Sequence, residues 1–276
     1  MKDSPIHKFY DKAWYFLSIY YSRDKWAELT SQIMCFYDIR QEQFSNCLVS
    51  FSEERGEHIR VALSSPNCIE NYQHEISDYF QSYIDANPSF SIKTFPYGRT
   101  LWCNYPNNTL VWDRFRILAY TDRHICLHNK TFLLARQLLK NDFSFDNVLS
   151  CAIYLVFKGL VCIDPNMQSD VLSDTLNDLS DHFENYNSIE SLLQSLIDTI
   201  DSREVCEAIE FYWRESSANY SPELIEWLNE VESMNEVEFG YFCLITCNML
   251  GISELKSYLV VKLIDIWLKS SRTTPN

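Results

Sequence analysis

Short apolar runs with strand-like composition dominate the first part of the chain. Residues 14–21 (WYFLSIYY), 47–51 (CLVSF) and 58–63 (HIRVAL) are rich in aromatic and β-branched side chains, which favours strands. The charged stretch between the second and third runs contains Gly56 and predicts a turn. The pattern therefore predicts a strand followed by a hairpin.

Two segments in the same region have apolar residues at helical spacing. Residues 22–40 predict an amphipathic helix that begins near Ser22 or Asp24, and residues 68–87 predict a second one. The apolar positions that carry these predictions are Trp26, Leu29, Ile33, Phe36, Ile69, Tyr72, Ile76, Phe80 and Ile84. Residues 90–115 then mix short extended pieces with turn residues, so the rim or loop of a site is expected there.

From about residue 130 onward, almost every segment predicts a helix with an apolar face. Ser221-Pro222-Glu223 provides a hydroxyl cap followed by a proline in the first turn, and Ser188 and Ser202 precede other predicted helices. No Pro/Gly/Ser-rich linker separates the two regions. We therefore predict an α+β fold in which residues 1–276 form one domain, strand-rich over about 1–125 and predominantly helical over about 126–276.

Charge and N-terminal composition limit the partners and the location. Asp and Glu outnumber Lys and Arg by 38 to 23, which opposes binding of nucleic acid as the main partner. Such an acidic surface either attracts a cationic peptide or only keeps the protein soluble. The N-terminus lacks the features of a secretory signal, and the apolar run at 151–163 is short and contains Lys158, so we expect a cytoplasmic protein without a transmembrane segment.

Metal, nucleotide and common hydrolase motifs are not found in the sequence. There is no G-x-S-x-G, no glycine-rich phosphate loop and no H-E-x-x-H. His124, Cys126 and His128 would face one way on a strand, and the two histidines also have helical spacing, but no cluster supplies further ligands. The ten cysteines show no C-x-x-C and are expected to be reduced and mostly buried. We expect neither a metal nor an organic cofactor.

Three blocks of the chain resemble a known family. Near the C-terminus, Asn248, Leu250, Gly251 and Ile252 match a helix end reading H-M-x-x-N-R-L-G-I, with Leu244 and Met249 in the positions of its histidine and arginine. Near the N-terminus, Trp14 in an aromatic strand and the pair His58 and Arg60 match an H-x-R strand that follows a helix and a tight turn. The third block lies at 97–104, where Tyr97 and Arg99 match while Thr100 and Cys103 replace a glutamate and an arginine.

In these blocks and their order, the chain resembles the lantibiotic dehydratase C-terminal family, the thiopeptide-type bacteriocin biosynthesis domain. The resemblance implies action on a modified, ribosomally made precursor peptide. Members eliminate glutamate from glutamylated Ser or Thr, using a base for the α-proton and cations for the developing negative charge. Relatives with the same fold form pyridine rings in thiopeptides by a formal cycloaddition.

The resemblance names His58, Arg60 and Arg99 as candidate catalytic residues. His58 and Arg60 are two apart on a predicted strand and thus face the same side, although an exposed, solvated hairpin would show the same pattern. Arg99 follows Gly98 and could bind a carboxylate, or could be a surface arginine in a turn. The implied activity is elimination or ring formation. The alternative is a non-catalytic peptide-binding subunit that completes a split dehydratase with a glutamylating partner.

Overall fold

The structure is a computed structural model that describes residues 6–9, 12–66, 72–90, 105–115, 118–119, 121–181, 201–214 and 221–273. The chain divides into two compact units. The first comprises Met1–Ile117 with Lys140–Ser144, and the second comprises Leu118–Leu139 with Phe145–Asn276. The division falls close to the predicted change from strand-rich to helical sequence. That the two units form one domain stays a prediction.

The first unit is built on an antiparallel sheet of five described strands. The strands are β1 (Ile6–Phe9), β2 (Lys12–Tyr20), β3 (Asn46–Ser52), β4 (His58–Ser65) and β5 (Thr109–Trp112). β4 lies between β3 and β2, while β1 and β5 pair with successive halves of the other edge of β2. The predicted strand and hairpin are confirmed.

Two helices cover one face of this sheet. They are α1 (Trp26–Ile39), preceded by a short 3-10 turn at Arg23–Lys25, and α2 (Gln73–Ala86). Trp26 of α1 stacks on Phe51 of β3 with 5.0 Å between ring centroids, and Phe80 of α2 lies 5.3 Å from Phe36 of α1. The apolar positions of both predicted helices are thus used in the core, except Ile69, which lies outside the described residues.

The β3–β4 hairpin closes through a turn that requires special backbone conformations. Arg55 and Gly56 have φ angles of 59° and 121°. The second value lies in a region that residues with a side chain rarely adopt, which explains the glycine. A Cβ at Gly56 would be in ordinary contact with the Tyr20 ring, at 3.5 Å, so the φ angle and not the available space requires the glycine. The turn therefore places His58, the first residue of β4, beside the end of β2.

All secondary-structure elements described in the second unit are helices. Its helices are α3 (Asp122–Leu139), α4 (Phe145–Val161), α5 (Gln168–Ser180), α6 (Ser202–Arg214), α7 (Pro222–Glu232), α8 (Glu236–Met249) and α9 (Glu254–Thr273). The chain therefore has the predicted α+β fold, with N-terminal strands and amphipathic helices followed by a predominantly helical C-terminal half. Within the ranges described, no helix is long and apolar enough to cross a membrane.

Helix ends in this unit show which cap predictions held. The Ser221 hydroxyl accepts a hydrogen bond from the Leu224 N–H, as predicted. At α6, the cap is Asp201 instead of Ser202, because the Asp201 carboxylate accepts from the Arg203 and Glu204 amides. Ser188 lies outside the described residues.

The α8–α9 connection contains the glycine of the C-terminal block. Gly251 has φ 72°, the Ile252 N–H bonds to the Cys247 carbonyl at 2.9 Å, and the Gly251 N–H bonds to the Asn248 carbonyl at 3.1 Å. These two bonds form a Schellman motif, which ends α8, and α9 begins at Glu254, three residues after Gly251. The tight helix-to-helix connection predicted for this stretch is present.

Candidate functional site

One face of the sheet carries a group of polar side chains at the ends of β2 and β4. His58 and Arg60 alternate with buried apolar residues along β4, so they lie on the same face. Directly across from them on β2 are Tyr20 and Ser18. We refer to this group, together with Asp113, as the polar face. All of its members belong to the first unit.

His58 is sequestered within the polar face. Only 1% of its surface is exposed, and its ring stacks on Tyr20 with 4.5 Å between centroids. Nδ1 lies 2.8 Å from the Gly56 carbonyl, which can only accept, so Nδ1 carries the proton. Burial lowers the pKa of His58 to about 4. At neutral pH the imidazole is therefore uncharged, with Nε2 as an acceptor.

Arg60 is held from two sides. Its Nη2 donates to Glu54 Oε2 at 2.8 Å, and its guanidinium carbon lies 5.4 Å from the centroid of the Phe115 ring. Nε is buried without a hydrogen-bond partner, while the side chain as a whole keeps 20% of its surface exposed. The ion pair and the ring thus hold the guanidinium in place, and its Nε–H makes no hydrogen bond.

Two polar residues beside Arg60 were not predicted from the sequence. Ser18 lies opposite Arg60 on β2, and its hydroxyl donates to Asp113 Oδ1 at 2.9 Å. Asp113 directly follows β5 and is exposed. Burial, together with the nearby Asp113 charge, raises the pKa of Tyr20 to about 12. The available signal was the position of Ser18, a polar residue at the same parity as Tyr20 in an otherwise aromatic and aliphatic strand.

The remaining candidate, Arg99, lies outside the described residues, as do Tyr97, Thr100 and Cys103 of the same block. The structure therefore brings His58 and Arg60 onto one face and says nothing of Arg99.

The C-terminal block has no titratable side chain at the two substituted positions. Met249 is completely buried in the core of the second unit, and Leu244 is half-buried on α8. Asn248, which matches the family pattern, is half-buried one turn after Leu244. Neither substituted side chain can take up or donate a proton.

The three residues considered as metal ligands lie on α3, not on a strand. At helical spacing Cys126 faces a different direction from His124 and His128. Accordingly, the Cys126 thiol donates to Glu230 at 3.6 Å, whereas His124 stacks on Tyr241 with 5.2 Å between centroids. In the part of the chain that the structure describes, no three His, Cys, Asp or Glu side chains are grouped to hold a metal ion.

Comparison with known proteins finds similarity in structure alone. No family model matches the sequence, and no curated protein is similar to it in sequence. Among solved structures, the chain is similar to the pyridine synthase TbtD from thiomuracin biosynthesis, with a TM-score of 0.55 and 16% sequence identity. The chain therefore shares its fold with that protein. The match covers 93% of this chain and 98% of the other, so it includes both units.

Proposed function

We propose that this protein modifies a ribosomally made precursor peptide in a thiopeptide-type pathway, by forming a ring between dehydroamino acid residues. The observation that supports the proposal is the fold similarity to a pyridine synthase over nearly the full length of both chains. Fold alone does not determine chemistry, so the choice of reaction depends on the side chains.

The C-terminal block favours ring formation over glutamate elimination. Elimination needs a base for the α-proton and a cation for the departing carboxylate. Leu244 and Met249 occupy the positions of the histidine and arginine in the lantibiotic dehydratase family that the chain resembles. Neither side chain can act as a base or as a cation. His58 is a poor replacement, because burial lowers its pKa to about 4 and leaves only 1% of its surface exposed.

The charge of the polar face points the same way. Arg60 is already paired with Glu54, His58 is neutral, and Asp113 adds a negative charge. Among the described residues, the polar face therefore has no uncompensated cation to receive a glutamyl carboxylate. A dehydrated peptide is uncharged at its reacting alkenes, so it needs no cation at this face and is not repelled by Asp113.

The aliphatic and thioether side chains at 244 and 249 also fit a second function. A chain that had lost its catalytic groups could hold a precursor peptide or complete a split dehydratase with a glutamylating partner. This subunit would co-purify with its partner or bind the peptide, and it would leave both glutamylated and dehydrated peptides unchanged.

Incubation of the purified protein with two forms of the precursor peptide separates these functions. Mass spectrometry and ultraviolet absorption are recorded for a dehydrated peptide and for a glutamylated one. Cyclisation of two dehydroamino acid residues alone leaves the mass unchanged. Loss of water and of the amide group on the new ring then makes the ring aromatic, so a lower mass and a new aromatic absorbance are expected from the dehydrated peptide only. Loss of glutamate from the glutamylated peptide would refute the proposed reaction, and no change in either would favour the partner subunit.

A further inference from the structure

The polar face contains two opposite charges, Arg60 and Asp113, which form no ion pair with each other. Arg60 makes its ion pair with Glu54, at 2.8 Å, instead of with Asp113. Asp113 accepts from Ser18, which is the direct cross-strand neighbour of Arg60. A cationic donor and an anionic acceptor therefore flank the Ser18 hydroxyl on the same face of the sheet.

The segment that leaves β5 fixes both groups. Asp113 is tied to Ser18, and two residues later Phe115 packs edge-on against Phe16 with 5.2 Å between centroids. The Phe115 ring also lies beneath the Arg60 guanidinium. Both charged side chains keep access to solvent, since Asp113 is exposed and Arg60 is partly exposed.

Comparison with other arginines shows what is particular to Arg60. Arg23 and Arg40 also have a buried Nε without a partner, an ion pair with a glutamate and an aromatic ring nearby. An unused Nε therefore does not by itself indicate a ligand. Only at Arg60, among these three, does the serine directly across on the neighbouring strand bind a carboxylate.

We propose that Arg60 and Asp113 bind the two sides of one amide group of the peptide substrate. The guanidinium donates to the amide carbonyl oxygen, and the Asp113 carboxylate accepts from the amide N–H. An amide suits this arrangement because it offers an acceptor and a donor at opposite ends and has no net charge. A carboxylate would gain from Arg60 but would be repelled by Asp113 and Glu54.

This inference rests on the proposed function, because a peptide substrate supplies the amide. A binding titration tests it without requiring that the protein catalyse any reaction. The Nε–H signals of Arg60, Arg23 and Arg40 are assigned by nitrogen-15 NMR from the variants R60K, R23K and R40K. The full-length protein is then titrated with N-acetyl-dehydroalanine-N′-methylamide, an uncharged diamide, and separately with acetate at equal ionic strength. Arg23 and Arg40 are internal controls in the same sample.

The diamide is expected to shift the Arg60 signal and leave those of Arg23 and Arg40 unchanged, whereas acetate shifts none of them. Asp113→Ala is expected to weaken the diamide titration about tenfold, since one charge-assisted hydrogen bond is lost. Asp113→Asn keeps an acceptor oxygen but removes the charge, so acetate is then expected to shift Arg60.

An Arg60 signal that does not respond to the diamide, or an Asp113→Ala protein that binds it as the wild type does, would overturn the inference. Failure of the proposed function looks different. The diamide would still shift Arg60, while the dehydrated precursor peptide would emerge unchanged from incubation with the protein.

Discussion

Gly159 of α4 packs directly against Phe242 of α8, and an alanine at position 159 should destabilise the protein. A Cβ at this position would lie 2.5 Å from Cε1 of Phe242, well inside van der Waals contact. Phe242 has no exposed surface and is held by neighbouring rings, with its centroid 5.9 Å from that of Trp227 and 6.1 Å from that of Phe239. The ring must therefore move by about 1 Å, to an ordinary contact distance, against packed neighbours.

The expected cost follows from two opposing effects. Overpacking a close-packed core costs about 1–3 kcal/mol, and a displaced buried ring belongs near the upper end of that range. Replacing a helical glycine by alanine returns about 1 kcal/mol of helix propensity. We therefore expect Gly159→Ala to lower the free energy of unfolding by about 2 kcal/mol.

Gly240 provides a matched control. It also lies in a helix, α8, but its added Cβ would lie 3.5 Å from the Thr175 hydroxyl oxygen, an ordinary contact. Gly240→Ala should therefore raise the free energy of unfolding by up to about 1 kcal/mol. Urea unfolding followed by circular dichroism measures both variants. A Gly159→Ala protein as stable as Gly240→Ala would show that the close approach of α4 and α8 is wrong.

Three further perturbations test the turn at Asn107–Asn108 that precedes β5, a helix cap and the buried histidine. Asn108 has φ 64° and makes three side-chain hydrogen bonds to Ser89, so Asn108→Ala should cost about 2–3 kcal/mol in urea unfolding, and Asn108→Gly somewhat less because it tolerates that φ. Asn235→Ala removes the capping box of α8 and should cost about 1 kcal/mol, whereas an unchanged midpoint would argue against the cap. The folded-state pKa of His58, about 4, lies below its ordinary value of 6.5, so the unfolded state binds the proton more readily and stability falls as the pH drops from 6.5 towards 4. His58→Gln should flatten this acid dependence in urea titrations at several pH values, and an identical slope would contradict the neutral, buried imidazole.

The sequence predicted best those features that depend on neighbouring residues. The 3.6-residue spacing from Trp26 to Phe36 locates α1, and Ser221-Pro222 marks the start of α7, because both signals act within one or two turns of the chain. Local signals were ambiguous in two situations: where two neighbouring residues can both cap a helix, and where the same residue spacing fits both a strand and a helix. Asp201 caps α6 in place of the adjacent serine, and the spacing of His124 and Cys126 fitted a strand while the segment forms a helix.

The polar face was predictable only in part. The H-x-R spacing places His58 and Arg60 on one side of a strand, but their chemistry comes from residues distant in sequence. Ser18 and Asp113 are 95 positions apart, and only the pairing of β5 with β2 brings them together. Sequence periodicity carries no information about that pairing, so neither Asp113 nor the separation of its charge from Arg60 could be foreseen.

Incubation of the purified protein with a dehydrated precursor peptide tests the central claim most directly. Arg40→Lys, a variant of the arginine that follows α1, serves as the control for Arg60→Lys, because Arg40 has a similar ion pair and aromatic neighbour away from the polar face. We predict a product with aromatic absorbance from the wild type and from Arg40→Lys, and markedly slower formation by Arg60→Lys. An unchanged dehydrated peptide, or release of glutamate from the glutamylated form, would contradict the proposed ring-forming activity.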